Sequence, residues 1–258
     1  MDVNFNTKLF GKKLINLESI SSTNDYLKES IQNLPSGTVV FASEQTAGKG
    51  AKGHVWETIK GKSIAASLLV KDVSIKHLPM MPLIFAMVGV NMFNALGIMN
   101  AKIKWINDIL IGEKKVAGML CESIIQGDYI DVVFGAGINV SCTNSDFERL
   151  NLDYAGSLFT QTNKLFSLDY VKKVFVETFE KTFFGYFQSE NLKEKVIKDY
   201  TSKSFTLGRT VKIIKNSEQI IAVAKAISSD GALICDYNGE TIKVYHSEAS
   251  VRGLNGYI

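Results

Sequence analysis

The segment Ser43-Glu44-Gln45-Thr46-Ala47-Gly48-Lys49-Gly50-Ala51-Lys52-Gly53-His54-Val55-Trp56 decides how the rest of the chain is read. Its glycines, Gly48, Gly50 and Gly53, stand beside Lys49, Lys52 and His54, after an apolar run from Thr38 to Ala42 that reads as a strand. Glycine admits backbone angles closed to other residues, so several main-chain N–H groups can converge on one phosphate or carboxylate while the lysines add positive charge. Such a loop is either a wrap for an anion or a flexible basic surface loop. A glycine-rich loop standing alone does not choose between the two.

Working outward, the whole chain of 258 residues is long enough for one large domain, or for a medium one with a small companion. With 46% hydrophobic and 21% charged residues and only three prolines, it has the composition of a folded globular protein. A net charge of +3, with acidic residues interspersed among the basic ones, argues against nucleic acid as a partner. Cys121, Cys142 and Cys235 are odd in number, far apart and free of any CxxC spacing, which indicates neither a disulfide framework nor a zinc site. A reducing, cytoplasmic setting is expected, and Met1 to Lys13 lacks the apolar core and cleavage site of a secretory signal. Leu78 to Met99 carries no charge over about 22 positions, the length of a membrane span. Pro79 and Pro82 at its start, and Asn91, Asn94 and Gly97 within it, make it a buried helix in this reading, and no membrane partner is expected.

In chain order, Lys13 to Glu18 alternates as a first strand, and Thr23 or Asn24 is placed to cap a helix carrying Tyr26, Leu27 and Ile31. Ser22, Thr23 and Asn24 have a second reading, since a helix N-terminus also offers free N–H groups to a polar ligand. Ser63 to Val70 reads as a buried strand, Ala101 to Trp105 as a short one, and Ile109–Ile111 and Val116–Leu120 as a hairpin about Gly112-Glu113-Lys114. Tyr129 to Val140 reads as a strand that breaks at Gly135 and Gly137, glycines of the kind that mark close approach of a ligand or another backbone. Ser141 to Leu165 is an irregular connection with a short helical piece. From Ser167 a helix sets Leu168, Val171, Val174, Phe175, Phe179, Phe183 and Tyr186 on one core face, and a second helix covers Leu192 to Lys203. After Leu207-Gly208 the texture changes to short strands and turns, with Asn238-Gly239 a strong hairpin signal, and a small barrel-like domain is expected there.

Four stretches stand out together: Ser22-Thr23-Asn24, the glycine-rich loop, Lys104-Trp105-Ile106-Asn107-Asp108 followed by Lys115-Val116-Ala117-Gly118, and Gly135-Ala136-Gly137-Ile138-Asn139. In this order they resemble the biotin protein ligases, which adenylate biotin and pass it to a lysine of a carrier protein. Where the family shows GRGRxGRxW, KWPND, K-[LV]-A-G-[IL]-L-x-E and G-[IA]-G-[IL]-N, this chain reads GKGAKGHVW, KWIND, KVAGMLCE and GAGIN. Ser247 to Arg252, SEASVR, is similar to the GExSLR that closes the family's C-terminal domain. The resemblance implies an α+β fold: a mixed β-sheet backed by helices, of the class II aminoacyl-tRNA synthetase-like kind, over residues 1–205, and a small C-terminal SH3-like β-barrel over residues 206–258. It implies ATP and Mg²⁺ as companions, biotin as substrate and a biotin carboxyl carrier protein as partner, in a monomer or homodimer of the class without a DNA-binding domain.

Site residues are implied in the same way. Ser22, Thr23, Asn24 and Gln45 would hold the polar ring of biotin, Trp56 would shape the site, and Gly48, Lys49, Gly50, Ala51 and Lys52 would close over the adenylate. Lys115 would stabilise the joining of the biotin carboxylate to the phosphate as the catalytic residue. Asn107, Asp108 and Asn139 would contact ATP, with Asp108 the one candidate for Mg²⁺. Gly118, Gly135 and Gly137 would let the sheet backbone lie against biotin. Trp105 would stack near adenine, with Glu248 and Arg252 approaching from the small domain. Taken singly, Asn107-Asp108 reads equally as a turn, Lys115 as a solvated hairpin residue, and both tryptophans as core.

The chain departs from the family pattern at Lys49, Ala51 and His54, which replace loop arginines, and at Ile106, which replaces proline. Arginine grips a phosphate bidentately and alanine does not, so weaker retention of the adenylate is expected, with Lys52 a partial substitute. Two other readings follow: a lipoate or octanoate ligase or transferase of the same fold, for which Cys121 is the only cysteine within a motif, and a non-catalytic sensor of biotin or its adenylate.

Overall fold

The computed structural model describes residues 3–216, 218–254 and 256–257. Its elements are β1 (Leu14–Ile20), α1 (Thr23–Glu29), β2 (Val39–Gln45), β3 (Ser63–Ser74), α2 (Met81–Ala95), β4 (Ala101–Lys104), β5 (Asp108–Ile111), β6 (Lys114–Gln126) and β7 (Tyr129–Asn139). There follow α3 (Asn144–Arg149), α4 (Leu158–Thr162), α5 (Leu168–Phe187), α6 (Leu192–Lys203), β8 (Thr210–Lys215), β9 (Glu218–Ile227), β10 (Leu233–Tyr237), β11 (Glu240–Val244) and β12 (Ser250–Arg252).

The first seven strands form one sheet in the order β1-β2-β3-β7-β6-β5-β4. Only β1 and β2 run parallel, so the sheet is mixed. It is backed by α2, which α5 and α6 cover in turn. That sandwich explains the uncharged composition of α2: Leu83, Ile84, Phe85, Val88, Val90 and Phe93 are all sealed from solvent. The stretch Ile75–Ala95 is long and apolar enough to cross a membrane, yet 67% of its most apolar window is buried inside the fold. Pro79 lies in a 3-10 turn ahead of α2, Pro82 lies in the first helical turn, and Gly97 at φ 79° follows the end.

On α5 the expected aromatic face is core. Phe179 packs edge-on to Phe10 and Phe134 at ring-centroid distances of 4.7 and 5.2 Å, geometries in which each ring's positive edge meets another's negative face. Burial of each such ring stabilises the fold by about 1.5–3 kcal/mol. The opposite face of the sheet receives α1, whose Leu27 sits with Ile31 on Val40, Leu69 and Val133.

Three local expectations need correction. Ser22, rather than Thr23 or Asn24, is the N-cap of α1: it holds the extended backbone (φ −155°, ψ 132°) a cap requires, which leaves the next two side chains free to turn inward. Strand β7 does not break at Gly135 and Gly137; both keep full pairing with β3 and β6, and their missing Cβ atoms make room for side chains above the sheet. The connection after β7 contains two short helices, α3 and α4, each opened by a capping box.

The last five strands form a second, antiparallel sheet in the order β11-β10-β9-β8-β12. It includes β12, which the sequence reading did not separate from its motif. This sheet is tied to the first where Trp105 N–H donates to Thr206 Oγ1 (2.9 Å) and Lys104 Nζ to the Val251 carbonyl (3.1 Å).

Candidate active site

A single cleft gathers most of the residues singled out above. It lies between the start of α1, the loop after β2, the β4–β6 region and the C-terminal sheet. At its deep end the polar side chains of α1 are held by a network across four elements. Thr23 donates from N and Oγ1 to Gln45 Oε1 (2.9 and 3.1 Å). Ser67 Oγ lies 2.7 Å from Thr23 Oγ1 and 2.5 Å from Asn24 Oδ1, and Asn24 Nδ2 donates to Glu122 Oε2 (2.7 Å). Lys28 reaches the other oxygen of Glu122 at 2.6 Å. Buried polar groups keep one arrangement when each has a partner, so this end is a preorganised polar pocket. Ser67 and Glu122 are members that sequence reading did not assign. Glu122 ends the KVAGMLCE motif, but Ser67 lies in an apolar strand with no local signal.

Trp56 forms one wall. A Cβ placed on Gly137 would lie 2.0 Å from Trp56 Cε2, and one on Gly118 would lie 3.2 Å from Trp56 Cζ3. The indole therefore rests on a glycine floor. A Cβ on Gly135 would fall 2.2 Å from Asn24 Oδ1. Gly135 and Gly137 thus make room for the chain's own Asn24 and Trp56 while still lining the cleft. Gly48, expected to touch the ligand, does not line it. Its missing Cβ would lie 2.3 Å from the Trp56 carbonyl, and it stands behind the cleft wall.

Beyond Trp56 the character changes from polar to cationic. Lys49, Lys52, Lys104, Lys115 and Arg252 face the cleft, against the carboxylates of Asp108 and Glu57. The glycine-rich loop folds into a short 3-10 turn, with Lys52 left-handed at φ 57° and Gly53 at φ 76°. Lys49 Nζ is bound to Asp25 Oδ1 (2.6 Å), while His54 Nε2 meets Arg252 Nη2 at 3.2 Å. Burial, followed by the charge of Arg252, lowers both the His54 imidazole and the Lys52 ammonium from their ordinary values.

Lys115 Nζ sits 2.6 Å from Asp108 Oδ1 and 5.5 Å from the centre of the Trp56 ring. Burial pulls the Asp108 carboxyl upward, but Lys115 and Lys104 outweigh it and hold the group below the usual carboxylate range. Lys104, almost wholly enclosed, is brought down to about 8 by burial, although Asp108 works the other way. Asn107 is anchored through Nδ2 to the Met119 carbonyl (2.7 Å) and Asn139 through Nδ2 to the Gly156 carbonyl (3.0 Å). Trp105 is a cleft wall met edge-on by His246 at 6.0 Å. The indole N–H groups of Trp56 and Trp105 are buried with no partner among the described residues.

Glu248 is not brought to the site. It is exposed in the turn between β11 and β12, bound to Lys215 at 2.5 Å and absent from the cleft lining, which corrects its expected approach to the nucleotide. His246, Tyr154 and Tyr257 line the cleft instead, and no motif marked them. The residues present do not fit a Mg²⁺ held by protein at Asp108. Its Oδ1 is on Lys115, its Oδ2 accepts from Tyr257, and no cluster of three His, Cys, Asp or Glu side chains is placed for a metal among the described residues.

Comparison with known proteins bears on this geometry. The Biotin/lipoate A/B protein ligase family matches residues 17–139. The chain is 29% identical over 245 residues to the bifunctional ligase/repressor BirA of Bacillus spizizenii, covering 94% of this chain and 75% of that protein. It is 26% identical to the biotin--[acetyl-CoA-carboxylase] ligase of Mycobacterium tuberculosis over 81% of this chain and 76% of that one. A biotin protein ligase from Aquifex aeolicus, solved in complex with biotin and ATP, superposes with a TM-score of 0.76 at 26% identity, over 94% of this chain and 99% of that chain. By these measures the chain is similar to biotin protein ligases over nearly its whole length. The cleft thus has two characters, a polar end lined by Ser22, Thr23, Asn24 and Gln45 and a cationic end, with Lys115 at the border between them.

Proposed function

We propose that the chain is an ATP-dependent biotin protein ligase acting on a biotin carboxyl carrier protein. In the first step an oxygen of the biotin carboxylate attacks the α-phosphorus of ATP. The new P–O bond forms as the bond to the bridging oxygen of pyrophosphate breaks, giving biotinyl-adenylate. In the second, a neutral lysine amine of the carrier attacks the acyl carbon, a C–N bond replaces the C–O bond, and AMP leaves with the proton released to solvent. The observation that carries the reading is the place of Lys115, one ammonium at the junction of a polar pocket and a cationic one.

The physical task of the first step is to bring two anions together. Five cationic side chains around the nucleotide end offset the charge without reorganisation. Ser22, Thr23, Asn24 and Gln45 present oriented donors and acceptors to an uncharged ring. Trp56 and Trp105 exclude water and offer two buried N–H donors. Mg²⁺ would accompany the ATP phosphates, supplying charge neutralisation there. Asp108, held below the usual carboxylate range by its lysines, is a poor general base at neutral pH, and its part is to place Lys115. Three unpaired cysteines without CxxC spacing support action in the cytoplasm.

The transferase alternative needs a reactive cysteine. Cys121 lies outside the cleft, and burial, followed by the neighbouring Glu122 charge, raises its thiol well above the ordinary value, the reverse of an activated nucleophile. The deciding experiment mixes the purified protein with biotin and Mg²⁺-ATP, assays biotinyl-adenylate and pyrophosphate, then adds a carrier domain. Adenylate followed by transfer is expected. Tight biotin binding without adenylate would replace this reading with that of a sensor.

A further inference from the structure

Tyr257 lies 149 positions along the chain from Asp108, yet its hydroxyl donates to Asp108 Oδ2. Its ring stacks on Tyr154 (centroids 4.3 Å apart, planes 23° apart). Lys104 Nζ lies 4.2 Å from the ring centre, with the Arg252 guanidinium at 5.2 Å and Lys115 Nζ at 5.8 Å. Tyr154 is in turn tied to the catalytic lysine, because the Lys115 N–H donates to the Tyr154 carbonyl (2.9 Å). The contacts close a ring: Lys115 backbone to Tyr154, Tyr154 ring to Tyr257 ring, Tyr257 hydroxyl to Asp108, Asp108 to Lys115 Nζ.

Two ammonium groups compete for the single carboxylate in this ring. Lys115 holds Oδ1 at 2.6 Å, while Lys104 stands 3.9 Å from Oδ2. Rotation of the carboxylate toward Lys104 would release Lys115 from its position. Tyr257 opposes that rotation twice, since its hydroxyl occupies Oδ2 and the face of its ring offers Lys104 another partner. We propose that Tyr257 is a positioning residue for adenylation, fixing Asp108 so that Lys115 is presented to the reacting groups; this rests on the ligase reading above. The phenol is suited to the part, because burial and the adjoining Asp108 charge raise it far above its ordinary value and it remains a donor across the working pH range.

Tyr257→Phe keeps the stack and the ring face for Lys104 and removes only the hydroxyl. In single-turnover and steady-state assays of adenylate formation, kcat is expected to fall about tenfold, the scale of one hydrogen bond to a charged group, with KM for biotin and ATP within about twofold of wild type. A purely structural role would lower the melting temperature and leave that split unmade. Asp108→Asn supplies the second leg of a cycle: the double variant is expected to be no slower than Asp108→Asn alone, because Tyr257 acts only through the Asp108–Lys115 ion pair, which that change has already removed. Wild-type kcat in Tyr257→Phe, a loss seen only in KM, or multiplying losses in the double variant would each overturn the positioning role. If the wild-type protein itself makes no adenylate, the ligase reading fails and this role fails with it; the three results above overturn Tyr257 alone.

Discussion

Replacing Gly137 with alanine tests whether the indole of Trp56 rests on the central strand. An alanine Cβ would lie 2.0 Å from Trp56 Cε2 and 2.5 Å from both Cδ2 and Cζ2. Ordinary carbon–carbon contact is about 3.5–4.0 Å, so the ring must withdraw by roughly 1.5–2 Å. The strand cannot yield instead, because β7 is the middle one of seven and is hydrogen-bonded on both sides. The indole can move only into the cleft, toward the side occupied by Lys115. Overpacking of a close contact costs about 1–3 kcal/mol. For a chain of this size that lowers the melting temperature by roughly 2–10 °C. If a similar free energy is lost from biotin binding, Kd rises by roughly five- to 150-fold. Gly118→Ala is the graded control. Its Cβ would stand 3.2 Å from Trp56 Cζ3, which a shift of a few tenths of an ångström relieves, so a smaller effect is expected in both measurements. Thermal unfolding and biotin titration calorimetry read the two quantities. Unchanged stability and affinity in Gly137→Ala, or a larger effect from Gly118→Ala, would refute the account of the wall.

Other outcomes follow from the same geometry. Lys115→Ala is expected to cut adenylate formation by about 10²–10³-fold, the scale of a lost charge-stabilising group, with the cooperative unfolding transition retained; normal pyrophosphate release would remove Lys115 from its role. Ala51→Arg, at a cleft-lining position of the loop, is expected to slow dissociation of biotinyl-adenylate by about tenfold through a bidentate phosphate contact, as read by release from preloaded protein. Burial and the charge of Lys52 bring the His246 imidazole down to about 4, while the unfolded chain titrates near the ordinary value of 6.5. Between those values the unfolded state binds more protons, so stability falls as pH drops from 6.5 toward 4, by about 1–3 kcal/mol once partial exposure is allowed for. Urea unfolding at pH 7 and pH 4.5 measures this, and His246→Phe is expected to reduce the difference.

How much the sequence disclosed depends on the range of the interactions involved. Ser167 caps α5 through the Tyr170 N–H, three residues on, and Asn238-Gly239 turns β10 into β11 with both residues at positive φ. Signals of this kind act over a few residues, which is why α5, α6 and the strands β8 to β11 of the second sheet were legible. The motifs were legible as well, and they named Lys115, Asp108, Trp56 and Trp105 before any geometry was known. Their surroundings were not, because the partners come from distant places: Asn24 meets Glu122 across 98 positions, Tyr257 meets Asp108 across 149 and Arg252 meets His54 across 198.

Gly135 and Gly137 show the difference most directly. From the sequence their small size pointed to close approach, which holds. Only the sheet order, which puts β7 between β3 and β6 and beneath α1 and the glycine-rich loop, decides that Asn24 and Trp56 are what approach. Glu248 failed for the complementary reason: its motif was recognisable, but it falls in the turn between β11 and β12, where its side chain pairs with Lys215 in solvent. Local propensity and periodicity determine which elements form, because their energies are settled within a turn or a strand pair. Which side chains share a cavity depends on how those elements pack, a choice made by burial summed over the whole chain, and no single stretch contains it.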